Sequence, residues 1–395
     1  MKVVRQLTGL FSILSLAHLA SAQAAEPIKI GLILPYTGVF ASLSEDETRG
    51  FMMAVDEMGG KIGGRPIVVV KGDSELKPNV ALQQLNKLVN SDKVDLVVGG
   101  SSSSEAFALR DALVKQKKPF VIIQATSDSL TRELCSTYVV RTSYSATAFE
   151  SAAGRWLASK VGKKAFTIAP DYSAGQEIIG SFAKGFEEGG GKIVGQAWPP
   201  FRTTKDYGPF LVQAKESGAD FLYVFFGGGE AIQAVKQHAD FGLKAKLPMY
   251  GSSWVYDLSL LPAEGEAAKG ARFITLYLAD LPGKANQDFV KRYVEKYGVK
   301  PGTPVVFGYD AGKATLLGLE KLKGDTSDAS KIGPAIASVS YESPRGTFKI
   351  DPKTQNVVNE KLYIAEVVST KNGWDHKLVE AVAGFADPGT GCKLN

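Results

Sequence analysis

The sequence predicts an α/β protein made of two doubly wound parallel-sheet units in tandem. Three observations carry this reading. Short apolar runs alternate with helical patterns along most of the chain, and the alternation starts afresh after Thr142. The length, 395 residues at 44% hydrophobic and 22% charged, suits a globular chain of two domains. A repeated strand–helix–strand order demands parallel sheets with helices on both faces.

In the first unit Ile28–Leu34 (IKIGLIL) reads as a buried strand and Glu45–Met58 as a helix, with Ser44 placed to cap it and Glu47 three residues on. Ile67–Val70 is the next strand, and Val80–Val89 places Leu82, Leu85 and Leu88 at helical spacing. Val94–Val98 is a strand, Glu105–Gln116 a helix and Pro119–Ile123 a strand. The second unit begins with the helix Ser145–Lys160. Its strands are Ala165–Ala169, Lys192–Trp198 and Phe221–Phe226, with helices Gly175–Glu188, Tyr207–Ser217 and Glu230–Phe241. Leu247–Tyr250 and Arg272–Leu276 read as further strands.

Asn286–Tyr297 and Val305–Leu322 are amphipathic helices with no strand set of their own, so they complete the faces of the first unit. Thr347–Ile350 and Leu362–Val368 are late strands. A chain that leaves a unit and returns to it makes a hinge of several crossings, expected near Thr142, Leu276 and Lys349. The expected division is 25–142 plus 277–348 for the first lobe, 143–276 plus 349–370 for the second, and a C-terminal tail over 371–395.

The first residues have the form of an address. Lys2 and Arg5 precede an apolar stretch, Leu7–Leu19, that is short against the roughly 20 residues of a membrane span. Ala20-Ser21-Ala22 and Ala22-Gln23-Ala24 are small-x-small cleavage sites. A secretory signal peptide over 1–24 is expected, with an N-terminal anchor as the alternative, and the periplasm as the destination. Export would expose Cys135 and Cys392, the two cysteines of the chain, to oxidation. Each has one obvious partner, so a Cys135–Cys392 disulfide is expected, with two free buried thiols as the alternative.

Composition excludes several functions. Net charge is +5 with the two signs interspersed, so nucleic acid has no basic patch to bind. Beyond the leader only His238 and His376 remain, one in a helical pattern and one in a polar turn, leaving little for metal or acid–base chemistry. No Gly-Lys-Ser/Thr phosphate loop and no Gly-x-Ser-x-Gly elbow occurs. No catalytic residue, metal or cofactor is expected.

Two turns are candidates for binding. Gly99-Gly100-Ser101-Ser102-Ser103-Ser104-Glu105 joins a parallel strand to a helix, and Gln124-Ala125-Thr126-Ser127-Asp128 follows the next strand. Ligands of open α/β sheets bind at such strand ends, and hydroxyls with helix-end amides suit an anion. The same residues also serve as ordinary helix caps. Aromatics are the other signal. Phe225-Phe226 end a strand before Gly227-Gly228-Gly229, Trp254 and Tyr256 follow Gly251-Ser252-Ser253, and Phe307 and Tyr309 open a shared helix. Phe226, Trp254 and Tyr309 are the candidate ligand contacts of this group, against core packing as the alternative.

The order IGLILPYTGVFASLSEDETRGFMMAVDEMGGKIGGRPI, VDLVVGGSSSSEA, APDYSAGQE, DFLYVFFGGGEA resembles the leucine/isoleucine/valine-type solute-binding proteins of ABC importers, over essentially the whole mature chain. The resemblance implies a type I periplasmic binding fold: two lobes, three crossing strands, and a small ligand trapped when the lobes close. It implies a monomer that hands its ligand to a membrane permease. It places the ligand carboxylate on Ser103, with Ser102 beside it, and on Gln124 and Thr126.

The sequence also departs from the amino-acid binders it resembles. The loop Tyr250-Gly251-Ser252-Ser253-Trp254 lacks the acidic residue that neutralises a ligand ammonium, and no Asp or Glu follows until Asp257. Ala174 and Leu43 stand where aromatics are usual. Burying an ammonium without an anionic partner is costly. The expected ligand is therefore an aromatic acid, its body against Trp254, Ser253 and the small Ala174. The paired cysteines also look like that branch of the family. Uptake of a branched-chain or other amino acid and an exported ligand-sensing module are the alternatives.

Overall fold

The computed structural model describes residues 26–383, 387 and 389–394. The expected leader, 1–24, lies outside the described residues. The first unit opens with β1 (Ile28–Leu34), α1 (Ala41–Glu57), β2 (Lys61–Ile62), β3 (Arg65–Asp73) and α2 (Pro78–Asn90). It continues with β4 (Leu96–Gly99), α3 (Ser103–Lys115), β5 (Phe120–Ile122) and β6 (Val139–Arg141). Strand β1 pairs in parallel with both β3 and β4, and β5 and β6 extend the sheet in parallel. All of β1 except Lys29 is buried, as a strand covered by helices on both faces must be.

The second unit follows: α4 (Ala146–Lys160), β7 (Lys164–Ile168), α5 (Ser173–Glu188), β8 (Lys192–Ala197), α6 (Gly208–Glu216), β9 (Phe221–Val224), α7 (Gly228–Asp240), β10 (Met249–Gly251) and α8 (Leu261–Glu264). Its strands form a parallel sheet in the order β10-β9-β7-β8. Next comes β11 (Arg272–Thr275), joined to the end of β10 by a bridge between Ser252 and Ile274.

The chain then returns to the first unit through α9 (Lys284–Tyr297), α10 (Thr303–Lys321), α11 (Ala329–Ala337), β12 (Ser340–Ser343), β13 (Gly346–Asp351) and β14 (Asn356–Val357). Helix α10 crosses α1 at close range because glycines face each other. A Cβ on Gly50 would lie 1.8 Å from the Val305 carbonyl oxygen, and one on Gly308 would lie 1.9 Å from that of Glu47. The final strands, β15 (Lys361–Thr370) and β16 (Gly373–Ala383), form an antiparallel sheet with β11.

The structure differs from the sequence reading in three places. Helix α1 starts at Ala41, so Ser44 lies inside it, and the Ser44 carbonyl accepts the Thr48 hydroxyl at 2.8 Å. Strand β13 belongs to the first sheet through its hairpin with β12, and β14 pairs with β6 at Arg141. The chain therefore stays with this sheet through Val357, past the expected division at 348/349. The segment assigned to the tail contributes a long strand, β16, whose residues Leu378 (38%) and Val379 (42%) are too exposed to produce a clean buried/exposed alternation.

Arg345 draws the crossings together. It donates to the carbonyls of Thr142 (2.6 Å) and Ser143 (2.9 Å), to Asn359 Oδ1 (2.9 Å) and to the buried carboxylate of Asp310 (2.6 Å). Thr142 and Ser143 follow β6, and Asn359 lies between β14 and β15, so one guanidinium ties two of the crossing segments to α10. A disulfide joins Cys135 and Cys392, with Cα atoms 5.5 Å apart. Beside it Asp387 accepts from Arg132 Nη2 (3.0 Å) and Asn356 Nδ2 (3.0 Å), which holds the end of the chain against the first unit.

Candidate functional site

Parallel strands followed by helices place every strand C-terminus, and every following helix N-terminus, on one edge of a sheet. Here the edges of the two units face each other across a cavity of about 20 Å³. That is room for about one water, well below a small-molecule pocket, so the walls must part to admit a ligand. The lining residues are Phe40, Ser101, Ser103, Gln124, Ala125, Thr126, Tyr144, Tyr172, Ala174, Phe225, Gly227 and Trp254. A larger groove lies over the crossings, between Leu276, Arg345, Phe348, Val358, Tyr363 and Leu378. Its Arg345 is matched with Asp310 and its Glu360 with Lys349, so size alone does not choose the site.

Five helices begin at the smaller cavity. Phe40 precedes α1, Ser103 opens α3, Tyr144 precedes the N-cap of α4, Tyr172 is the N-cap of α5 and Gly227 that of α7. Of these helices only α3 has a side-chain cap. Some first-turn amides are engaged elsewhere: Thr147 N–H donates to Asp128 at 3.2 Å and Gly229 N–H to the Val39 carbonyl at 3.0 Å. The lining nonetheless has no Asp, Glu, Lys, Arg or His. Its electrostatic character is that of converging helix N-termini, which favour an anion.

The polar lining offers hydroxyl donors and one amide acceptor. Ser103 Oγ accepts the Ser127 amide at 3.3 Å, leaving its own proton for the cavity. Tyr144 Oη accepts Trp254 Nε1–H at 2.8 Å, and burial holds its phenol far above the usual range, so it stays a neutral donor. Ser101 Oγ and Gln124 Oε1 are buried without a hydrogen-bond partner. Apolar walls complete the cavity. Tyr172 stacks on Phe201 at 4.0 Å and lies 6.4 Å from Phe225, and Trp254 packs against Phe307 at 5.6 Å.

Carboxyl groups stand one layer back. Glu47 is fully buried, and both its oxygens lack a hydrogen-bond partner. Burial, reinforced by Glu105 and Asp46, raises its pKa well above the carboxylate range, which favours the neutral form. Glu105 accepts the Ser102 amide (3.1 Å) and hydroxyl (2.8 Å).

The structure brings Ser103, Gln124, Thr126, Ala174 and Trp254 together around the cavity. Four other candidates do not line it. Ser102 is the N-cap of α3 and turns to Glu105 in a capping box. Phe226 points to the opposite face of its strand end from Phe225 and meets Tyr207 edge-on at 5.0 Å. Ser253 is buried in the loop before Trp254. Tyr309 packs on Phe289 at 4.7 Å and donates to Glu57 at 2.8 Å. The sequence reading missed Phe40, Ser101, Tyr144, Tyr172 and Phe225. The available signal was position: each lies in the few residues after a strand.

The two histidines are structural. His238 Nε2 pairs with the Leu247 carbonyl at 2.8 Å and His376 Nε2 with that of Tyr256 at 2.7 Å; burial pushes His376 down to about 4. Among the described residues no group of three or more His, Cys, Asp or Glu side chains is placed to hold a metal ion, and no helix is long and apolar enough to cross a membrane.

Comparison with known proteins decides the family. The profile of the family described as periplasmic binding protein matches residues 27–373. The chain belongs to the periplasmic binding protein family. This periplasmic binding protein is 28% identical over 376 residues to the Leu/Ile/Val-binding protein homolog 6 of Brucella melitensis, covering 94% of this chain and 95% of the relative. Among solved structures it is similar to a solute binding protein of an ABC transporter from R. palustris in complex with benzoate. There the identity is 33%, the coverage 93% of this chain and 100% of the other, and the TM-score 0.87. A second, from Rhodopseudomonas palustris in complex with 3,4-dihydroxybenzoic acid, is 30% identical, with 92% and 99% coverage and a TM-score of 0.85. A leucine binding protein from Thermotoga maritima shares the fold at 22% identity, with 90% and 99% coverage and a TM-score of 0.80. The fold is the type I periplasmic binding fold, and the protein is a substrate-binding protein of an ABC transporter rather than an enzyme.

Proposed function

We propose that this protein captures a small aromatic carboxylate in the periplasm and delivers it, as a monomer, to the membrane permease of an ABC importer. The observation that carries the reading is the convergence of five helix N-termini on an uncharged cavity walled by Phe40, Tyr144, Tyr172, Phe225 and Trp254. Helix-end dipoles and neutral hydroxyls suit a carboxylate, and the rings suit a flat apolar body. In this reading Ser101, Ser103, Gln124 and Thr126 hold the carboxylate. Trp254, Tyr172 and Phe225 pack on the ring, and Ala174 leaves it room. The benzoate and dihydroxybenzoate bound by the two R. palustris proteins support the same class.

The lobes are proposed to be 26–142 with 277–357, and 143–276 with 358–383, closing about the crossings clamped by Arg345. Residues 1–24 are proposed to direct export, with cleavage after Ala22 or Ala24.

Branched-chain amino acid binding is the second reading, favoured by the buried carboxyl of Glu47, whose oxygens lack a hydrogen-bond partner, and by the names of the Brucella relatives. The absence of any Asp or Glu from the cavity lining weighs against it, since Glu47 stands one layer back. Calorimetry on refolded, ligand-stripped protein with benzoate, 4-hydroxybenzoate and leucine separates the two. Tight leucine binding without benzoate binding overturns the aromatic-acid reading.

A further inference from the structure

At the rim of the cavity one side chain of the second lobe reaches across to the first. Arg202 lies in the turn after β8, and its Nη1 donates to the backbone carbonyl of Leu76 at 2.9 Å, in the loop after β3. Both sides of this contact hold unusual backbone: Glu75, Leu76 and Arg202 are non-glycine residues at φ 51°, 56° and 66°. The donor is built in from behind. The Arg202 amide donates to Glu230 Oε1 at 2.7 Å, in the first turn of α7. The guanidinium lies 5.6 Å from the ring centroid of Phe201, which stacks on Tyr172 of the cavity wall. Close by, the Gly229 amide of the second lobe donates to the Val39 carbonyl of the first at 3.0 Å, next to Phe40. Burial raises the pKa of Glu105, which fixes the Ser102 turn, and the charge of Arg202 is a smaller influence in the opposite direction.

We infer that Arg202 is a closure latch: a positioning residue that never touches the ligand, but holds the rim shut by bonding to the Leu76 carbonyl while its neighbour Phe201 braces Tyr172. The inference rests on the solute-binding reading above. A latch made only in the closed state slows ligand escape and leaves encounter with the open cleft unchanged. Because it acts on lobes rather than on the ligand, it acts on any ligand that closes them.

Stopped-flow tryptophan fluorescence, run with benzoate and in parallel with leucine, tests this on the wild type, Arg202→Ala and Arg202→Lys. The expected result for Arg202→Ala is a dissociation rate raised about fivefold to tenfold, with the association rate within twofold and the ligand-free melting temperature unchanged. Arg202→Lys keeps one donor and should recover most of the loss. An unchanged dissociation rate overturns the latch. So does a drop in ligand-free melting temperature with both rates altered, which marks a merely structural role. If the wild type binds leucine and not benzoate, the aromatic-acid reading falls and the latch is judged on the leucine rates. If it binds neither, both fall.

Discussion

The two lobes bring unlike chemistry to one cavity. Ser101, Ser103, Gln124 and Thr126 follow strands of the nine-stranded sheet, whereas Tyr172, Phe225 and Trp254 follow strands of the four-stranded one. One wall offers hydroxyls and an amide, the other offers rings. Phe40 of the first lobe and Tyr144 at the crossing are the exceptions, and both are aromatic residues placed at helix starts. If the ligand sits here, as proposed, recognition and closure are coupled. A ligand with a polar head and an apolar body completes its contacts only when the lobes meet, so its differential affinity drives closure.

The largest expected effect tests the apolar wall. Trp254→Ala removes the ring and leaves Tyr144 without its donor, so benzoate affinity should fall by about 3 kcal/mol or more, over a hundredfold. Isothermal titration calorimetry measures it, and a loss under tenfold would place the body of the ligand elsewhere. Ser103→Ala tests the polar wall. A hydrogen bond to a charged group contributes about 1.5–3 kcal/mol, so a tenfold to hundredfold loss is expected in the same titration. Normal binding by this variant would remove the carboxylate from the Ser-rich turn.

A third expectation contrasts the lobes by pH. Burial raises Glu264 to about 9, Glu150 to about 8 and Glu230 to about 7, all in the second lobe, and Asp46 to about 7 in the first. An unfolded glutamate releases its proton near pH 4.3, while the folded one keeps it until its raised pKa. The folded state then binds more protons than the unfolded state, so stability falls as pH rises through that window. The slope is about 1.4 kcal/mol per pH unit for each such group. Scanning calorimetry at pH 5, 7 and 9 should show a falling melting temperature, and Glu264→Gln should flatten the fall between pH 7 and 9. A melting temperature that rises over this range would contradict the burial of these carboxyls.

The smallest effect is a control on the site boundary. Tyr309→Phe loses the bond to Glu57 and should cost stability by about 1 kcal/mol in a thermal melt, with benzoate binding within twofold of wild type. A larger binding defect would return Tyr309 to the cavity.

The sequence by itself determined the order of strands and helices, the restart after Thr142, and the polar turns at Gly99–Glu105 and Gln124–Asp128. Those features are written in local patterns: apolar runs of strand length, helical spacing, and glycine or serine where a strand yields to a helix. The cysteine pairing was legible too, because a chain with two thiols has one way to join them. Tertiary structure decided what faces the cavity. Phe225 and Phe226 are equivalent in composition, and only the backbone leaving β9 sends one to the cavity wall and the other to Tyr207. Phe307 and Tyr309 sit two apart on α10, on opposite sides of the helix, so one backs Trp254 while the other reaches Glu57. Phe40, Tyr144 and Tyr172 look alike as isolated aromatics after strands. They become one wall because the sheet edge at which β1 and β6 end faces the edge at which β7 ends, and that convergence depends on how the two sheets pack together, which no local pattern encodes.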